Sequence, residues 1–296
     1  MTKAEGGKKI VLSAADRVAV VAGSGRLPVN VAESLAETGH APFIVLIEGE
    51  TDPGTSLWSY DGKVLAIEQF AALVPLLKRE RITHLVLAGG ISRRPAWRAI
   101  RPSVSLLRIL PRALAGFARG DDGLLRILVD LIEDNGIKVV GAHQVVPDLL
   151  AIEGRIGGLA PKDGDWADLR AGLEAASAIG ALDIGQAAVA IGGRAIALEG
   201  IEGTDLLLER VRDLRNNGRI SGRKRGVLVK CAKPGQEMRA DLPTIGPATV
   251  DAAHAAGLAG IGVEAGRSFV LDVGEVVERA DRLGLFVVGL TSERGK

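Results

Sequence analysis

The sequence predicts an α/β protein in two parts, an N-terminal domain built on a parallel sheet and a C-terminal mixed α/β domain. Three observations carry this. From Arg17 onwards, short β-rich apolar runs alternate with amphipathic stretches at the spacing of strand–helix–strand units. Two of the early runs end in glycine loops, Gly23-Ser24-Gly25 and Gly89-Gly90, and strand ends of that kind are where parallel sheets hold ligands. Between Glu153 and Gly164 the periodicity stops in a glycine-rich stretch, and a second alternation begins beyond it. The N-terminal part is therefore Rossmann-like. The predicted division is residues 1–9 as a disordered tail, 10–158 as the Rossmann-like domain and 159–296 as the second domain.

The totals bound the function. A chain of 296 residues that is 47% hydrophobic can bury two cores. Lys+Arg number 37 against 36 Asp+Glu, so no global field draws in nucleic acid, and no nucleic-acid partner is expected. The single cysteine, Cys231, allows no internal disulfide framework and suits a reducing cytoplasm. Histidines 40, 84, 143 and 254 are scattered without zinc spacing. No apolar run reaches the roughly twenty residues needed to span a bilayer.

Taken in order, residues 18–22, 43–47, 63–67 and 85–88 read as strands, with helices over 27–38 and 71–80 between them. The first strand-end loop, Gly23-Ser24-Gly25-Arg26-Leu27-Pro28, begins like a dinucleotide fingerprint but has Pro28 in place of the third glycine. That argues against a nicotinamide-dependent oxidoreductase. Pro28 suits a first helical turn, and Ser24 with free backbone N–H groups can hold a phosphate or uridine, or the loop is a bare tight turn. From Ile91 to Arg119 there are arginines at 93, 94, 98, 101, 108, 112 and 119, no acid, and interleaved apolar residues. Such a segment is either an ordinary helix with a solvated basic face or a surface for an anionic membrane or a phosphorylated lipid. Asp121 and Asp122 open a helix over 124–133, where acids suit the dipole; Gly136 stops it, and 138–142 is the next strand.

In the second part a helix covers 166–179, and strands 187–191 and 195–198 flank a Gly192-Gly193 hairpin turn. Thr204 or Asp205 caps the helix that ends near Asn217-Gly218, although three acids between Glu199 and Asp205 exceed what a cap needs. The apolar run Val227-Leu228-Val229 leads into the stretch 230–246, which carries Lys230, Lys233, Glu237, Arg239 and Asp241 among proline and glycine breakers. Charge of both signs on a loop suits a metal and a phosphate, and oxygen ligands from two or more loops are how magnesium or manganese is held. Asp241 is the first candidate, and Asp205 and Glu237 could face the same cation. Otherwise Asp241 is a turn residue before Leu242-Pro243. A helix from Thr249, a strand over 259–263, a hairpin to Leu271, a helix over 275–283 and a strand over 285–290 complete the chain.

These residues together resemble the LpxI-type UDP-2,3-diacylglucosamine pyrophosphatases of lipid A biosynthesis. The resemblance rests on residues 22–28, Gly89-Gly90 with the basic segment after it, Gly120-Asp121-Asp122, Glu202-Gly203-Thr204-Asp205, Lys233-Pro234-Gly235-Gln236 and residues 241–246, in order over both domains. One departure is Glu237, where aspartate is the expected residue. The resemblance implies hydrolysis of UDP-2,3-diacylglucosamine to UMP and 2,3-diacylglucosamine 1-phosphate, dependent on magnesium, and oxygen ligands would equally hold manganese. It further implies water attack at the phosphorus nearer the sugar and a homodimer; a cytoplasmic protein that meets the inner membrane peripherally is the expectation drawn from the single cysteine and the basic segment 91–119. The site residues expected on this basis are Asp241, Lys233 and Arg239 as catalytic groups, and Asp241, Asp205 and Glu237 as metal ligands. Gly23, Ser24, Gly25, Arg26, Gly89, Gly90, Thr204, Gln236 and Thr244 are expected to contact the substrate. A non-catalytic nucleotide or nucleotide-sugar binding protein is the alternative, since fold alone does not decide activity.

Overall fold

The computed structural model describes residues 9–91, 120–220 and 225–291, so the expected tail over 1–8 and most of the basic segment 91–119 lie outside the described residues. The chain divides into two compact units. The N-unit comprises Lys8–Pro147 together with Glu237–Asp241, and the C-unit comprises Asp148–Gln236 and Leu242 onwards.

The N-unit holds strands β1 (Val18–Ala22), β2 (Phe43–Ile47), β3 (Gly62–Leu65), β4 (His84–Ala88) and β5 (Lys138–Val140). Its helices are α1 (Leu27–Glu37), α2 (Leu73–Arg79), α3 (Gly120–Asp134) and α4 (Ala142–Val145). The strands form one sheet in the order β3-β2-β1-β4-β5, and every pairing is parallel. Strands β1, β2 and β4 are almost entirely buried apolar runs because helices cover both faces of such a sheet. From β1 the chain moves outward through β2 and β3 and then returns to place β4 on the other side of β1. The connections leaving β1 and β4 therefore diverge, and a crevice is left at their carboxyl ends.

The C-unit begins at Asp148, ahead of the glycine-rich stretch that suggested a boundary near residue 158. Within that stretch Gly154–Arg155 form a short strand, β6. The unit continues with α5 (Asp163–Ala181), β7 (Ala187–Ala190), β8 (Ala195–Leu198), α6 (Gly203–Asn216) and β9 (Val227–Lys230). It closes with β10 (Thr244–Ile245), α7 (Pro247–Ala255), β11 (Gly260–Glu264), β12 (Phe269–Val270), α8 (Val273–Leu283) and β13 (Phe286–Leu290). Six strands form a mixed sheet in the order β6-β13-β11-β9-β7-β8, with β9, β11 and β13 parallel. Gly192 and Gly193 join β7 to β8 with φ of +67° and +73°, the doubly left-handed turn that fits a two-residue hairpin.

The two-residue period of a strand divides this core. Leu228 joins Leu207, Val250 and Val276 on one face, while Val227 and Val229 join Leu169 and Phe286 on the other. The expected hairpin ending at Leu271 does not form. Both edges of β11 are already taken by β9 and β13, so the chain turns away at Glu264 and β12 pairs in parallel with β10 as a separate two-stranded ribbon.

Candidate active site

At the crevice of the N-unit the two glycine loops are joined. Ser24 N–H donates to the Gly90 carbonyl at 2.8 Å, Gly90 N–H donates to the Ser24 carbonyl at 3.1 Å, and the Ser24 hydroxyl adds a bond to the Gly90 carbonyl at 3.1 Å. Gly23 N–H donates to the Ala88 carbonyl at 2.9 Å and extends the β1–β4 ladder by one residue. The glycines are dictated by space and by backbone. Gly89 has φ +87°, and a Cβ there would sit 2.5 Å from the Ser24 carbonyl oxygen and 2.8 Å from Pro28 Cγ. Pro28 thus closes helix against strand in the position where a third glycine was missing. Gly25, φ +88°, donates its N–H to Asp52 Oδ2 at 3.0 Å, and Arg26 stands at the N-cap of α1.

Residues 237–241 form one turn fixed on the N-unit. Asp241 N–H donates to the Glu237 carbonyl at 3.1 Å. The guanidinium of Arg239 grips both carboxylate oxygens of Glu237, at 2.8 and 2.9 Å, and reaches Glu133 Oε1 on α3 at 2.9 Å. This hydrogen-bonded guanidinium is what holds the Glu237 carboxyl below the usual carboxylate range, while its two acids push the pKa of Arg239 up. Ala240 packs on the sheet core, and Met238 makes a backbone hydrogen bond with His143.

In the C-unit the stretch after β9 is equally tied down. Lys233 Nζ is 2.5 Å from Asp183 Oδ1, and Asp183 has a left-handed backbone, φ +54°. Gln236 is buried, with Oε1 accepting the Lys233 N–H at 2.8 Å. Ala232 N–H donates to Glu264 Oε2 at 2.9 Å. Burial, with Glu264 adding to it, pushes the Cys231 thiol up to about 12, so this cysteine is no thiolate nucleophile. Thr204 donates its hydroxyl to Glu199 Oε1 at 2.6 Å; Glu199 is itself buried and accepts the Gln186 N–H at 2.7 Å. Asp205 is exposed in the first turn of α6, and Thr244 lies in β10 with its carbonyl held by Lys230 Nζ at 3.1 Å.

The structure thus brings Gly23, Ser24, Gly25, Gly89 and Gly90 into one crevice, and Glu237, Arg239 and Asp241 into one turn. Both oxygens of Glu237 are engaged by Arg239, Asp205 belongs to the C-unit, and among the described residues no group of three or more His, Cys, Asp or Glu gathers to hold an ion. Sequence reasoning missed Glu133, Asp183 and Glu264, which lie 106, 50 and 32 residues along the chain from the groups they hold. Asp52 could have been found, as the acid that follows β2 in a dinucleotide-type unit.

Among solved structures, the chain has TM-scores of 0.24 with a leucoanthocyanidin reductase–NADPH complex from Vitis vinifera (17% identity, 41% of this chain and 47% of that one) and 0.27 with an isoflavone reductase (10% identity, 94% and 80%). Likenesses this slight carry no argument. Against curated proteins, the chain is 41% identical over 276 residues to the UDP-2,3-diacylglucosamine pyrophosphatase LpxI of Caulobacter vibrioides, covering 93% of this chain and 97% of that protein. The model of the LpxI N-terminal domain matches residues 17–149 and that of the LpxI C-terminal domain matches residues 152–288. With both of its units matched in order, the chain belongs to the LpxI family.

Proposed function

We propose that this protein hydrolyses UDP-2,3-diacylglucosamine to UMP and 2,3-diacylglucosamine 1-phosphate, a step of lipid A biosynthesis. The observation that carries the reading is the 41% identity to a relative of that name, which extends over 93% of the chain. Water attacks the phosphorus nearer the sugar, the bond from that phosphorus to the bridging oxygen breaks, and UMP leaves with that oxygen.

Asp241 is the proposed central residue, as the acceptor of the water proton or as an oxygen ligand to magnesium or manganese. Such an ion usually takes one or two protein carboxylates together with substrate phosphates, so Asp241 with the pyrophosphate oxygens suits an ion that arrives with the substrate. When bound, it would neutralise charge on the phosphate oxygens. Lys233 is proposed to offer its ammonium to a phosphate oxygen, in exchange with Asp183. Arg239, already gripping Glu237 and Glu133, is better suited to holding the 237–241 turn in shape than to leaving it for substrate. We further propose a cytoplasmic homodimer that collects its acylated substrate at the anionic face of a membrane; no helix among the described residues is long and apolar enough to cross one.

The test is UMP release by purified protein with magnesium, with EDTA, and for a folded Asp241→Ala variant. Release that requires the ion and falls about ten- to a thousandfold in the variant is expected. No release with magnesium or manganese, while UMP still binds, would turn the chain into a nucleotide-binding protein.

A further inference from the structure

The loop after β2 returns to the mouth of the first glycine loop. Thr51, buried, fixes the return: its hydroxyl donates to the Ala22 carbonyl at the end of β1, 2.5 Å away, and accepts the Ile47 N–H at 2.9 Å. The next residue, Asp52, sets Oδ2 on the Gly25 N–H at 3.0 Å. In a dinucleotide loop the amides at this position cradle a pyrophosphate. Here a carboxylate already takes one of them, and its charge opposes a second anion at that point.

An aromatic side chain stands beside it. Trp58 Nε1 donates to the Asp52 carbonyl at 3.1 Å, and the same carbonyl accepts the Thr55 hydroxyl at 3.2 Å. The short helical turn Ser56–Ser59 buries Leu57, 1% exposed, and leaves Trp58 48% exposed. A tryptophan held by its N–H with about half its surface in solvent adds little to the core and leaves apolar area for a planar ligand to cover.

We propose that Asp52 and Trp58, beside Gly25, form the nucleoside subsite, in which Asp52 accepts hydrogen bonds from the ribose hydroxyls and the Trp58 indole stacks on the base. The inference rests on the uridine-nucleotide reading above and specifies which part of that substrate the first glycine loop meets. A carboxylate is acceptor-only, with about four lone-pair positions. Gly25 uses one on Oδ2, and Oδ1 has no donor among the described residues. A neutral diol supplies the two O–H donors this oxygen can take, whereas a phosphate supplies only acceptors and charge.

The test is calorimetric titration of the intact protein with UMP and with its 2′,3′-dideoxy analogue. Wild type is expected to prefer UMP by about tenfold or more, the value of a hydrogen bond to a charged group. Asp52→Ala abolishes the preference by weakening UMP alone. Trp58→Ala weakens both ligands by roughly five- to a hundredfold, the range for loss of an aromatic stacking partner, and keeps the preference. Asp52→Asn retains an acceptor for Gly25 N–H, and it decides the question if the alanine variant fails to fold. A wild type that does not bind UMP or shows no preference, an Asp52 variant that retains it, or a Trp58→Ala variant with unchanged affinity would overturn the subsite. Turnover of UDP-2,3-diacylglucosamine by the same wild-type preparation separately tests the activity, so either reading can fail without the other.

Discussion

His143 lies just beyond β5, half-buried, where its ring faces the backbone of Gly141 and hydrogen-bonds to the backbone of Met238 in the 237–241 turn. Burial lowers its pKa below the ordinary histidine value of 6.5, and the bond to Met238 opposes that only in part. Its Nδ1 is buried with no hydrogen-bond partner among the described residues, so a proton there would have no acceptor. The sign follows from linkage. With the folded pKa below the unfolded one, the unfolded chain binds more protons in the acid range, so this contribution is present above pH 6.5 and is lost as pH falls through the folded value. His84 is lowered too, chiefly by burial, and contributes in the same direction. Urea unfolding from about pH 5 to about pH 7.5 should therefore show stability rising with pH, and His143→Gln should flatten part of that slope while leaving the His84 share. A variant with the wild-type slope would remove His143 from the account.

At the level of elements, legibility followed local physics. The strand–helix alternation of the N-unit was readable because buried parallel strands are continuous apolar runs, as in Val18–Ala22 and Phe43–Ile47. The two glycine loops were readable because close approach and left-handed backbone both demand glycine, as at Gly89. The two-residue strands β6, β10 and β12 were not, since a period of two needs more residues to show itself. The loop after β9 was marked by its mixed charge, yet the pairing of Arg239 with Glu133 spans 106 residues and no local pattern encodes it.

Helix α5 offers a test of where glycine is needed. Gly172 faces β9, and a Cβ there would lie 2.5 Å from Val229 Cγ2 and 3.0 Å from Val229 Cβ, a branched side chain with little freedom to move. Alanine would gain about 1 kcal/mol of helix propensity but overpack the interface by about 1–3 kcal/mol, so overpacking should win. Gly164, in the first turn of the same helix, has nothing within 4 Å of such a Cβ. Gly172→Ala should lower the unfolding free energy and Gly164→Ala should hold or raise it by up to about 1 kcal/mol. Equal effects at the two positions would mean that helix propensity, not contact with β9, sets the requirement.

On the scale of the whole molecule, the chain leaves the N-unit at Pro147, returns to it for Glu237–Asp241 and leaves again at Leu242. A chain ending at Pro147 would therefore lack Arg239, Ala240 and the Met238 partner of His143, although they belong to its own core and hydrogen-bond set. This gives a prediction that depends on connectivity. In the intact protein Glu133→Gln weakens the charge-assisted bond to Arg239 at 2.9 Å. Both side chains are about a third exposed, at 32% and 37%, so the cost should be modest, about 0.5–1 kcal/mol. In a chain ending at Pro147 the same substitution has no Arg239 to lose, and glutamine keeps an oxygen for the Val139 N–H that Glu133 Oε1 accepts at 3.3 Å, so it should be silent. Urea unfolding of the four proteins measures the difference directly. An equal cost in both backgrounds would mean that Glu133 acts through groups other than Arg239, whereas a cost confined to the intact chain would establish that a segment following the second unit's β9 completes the first.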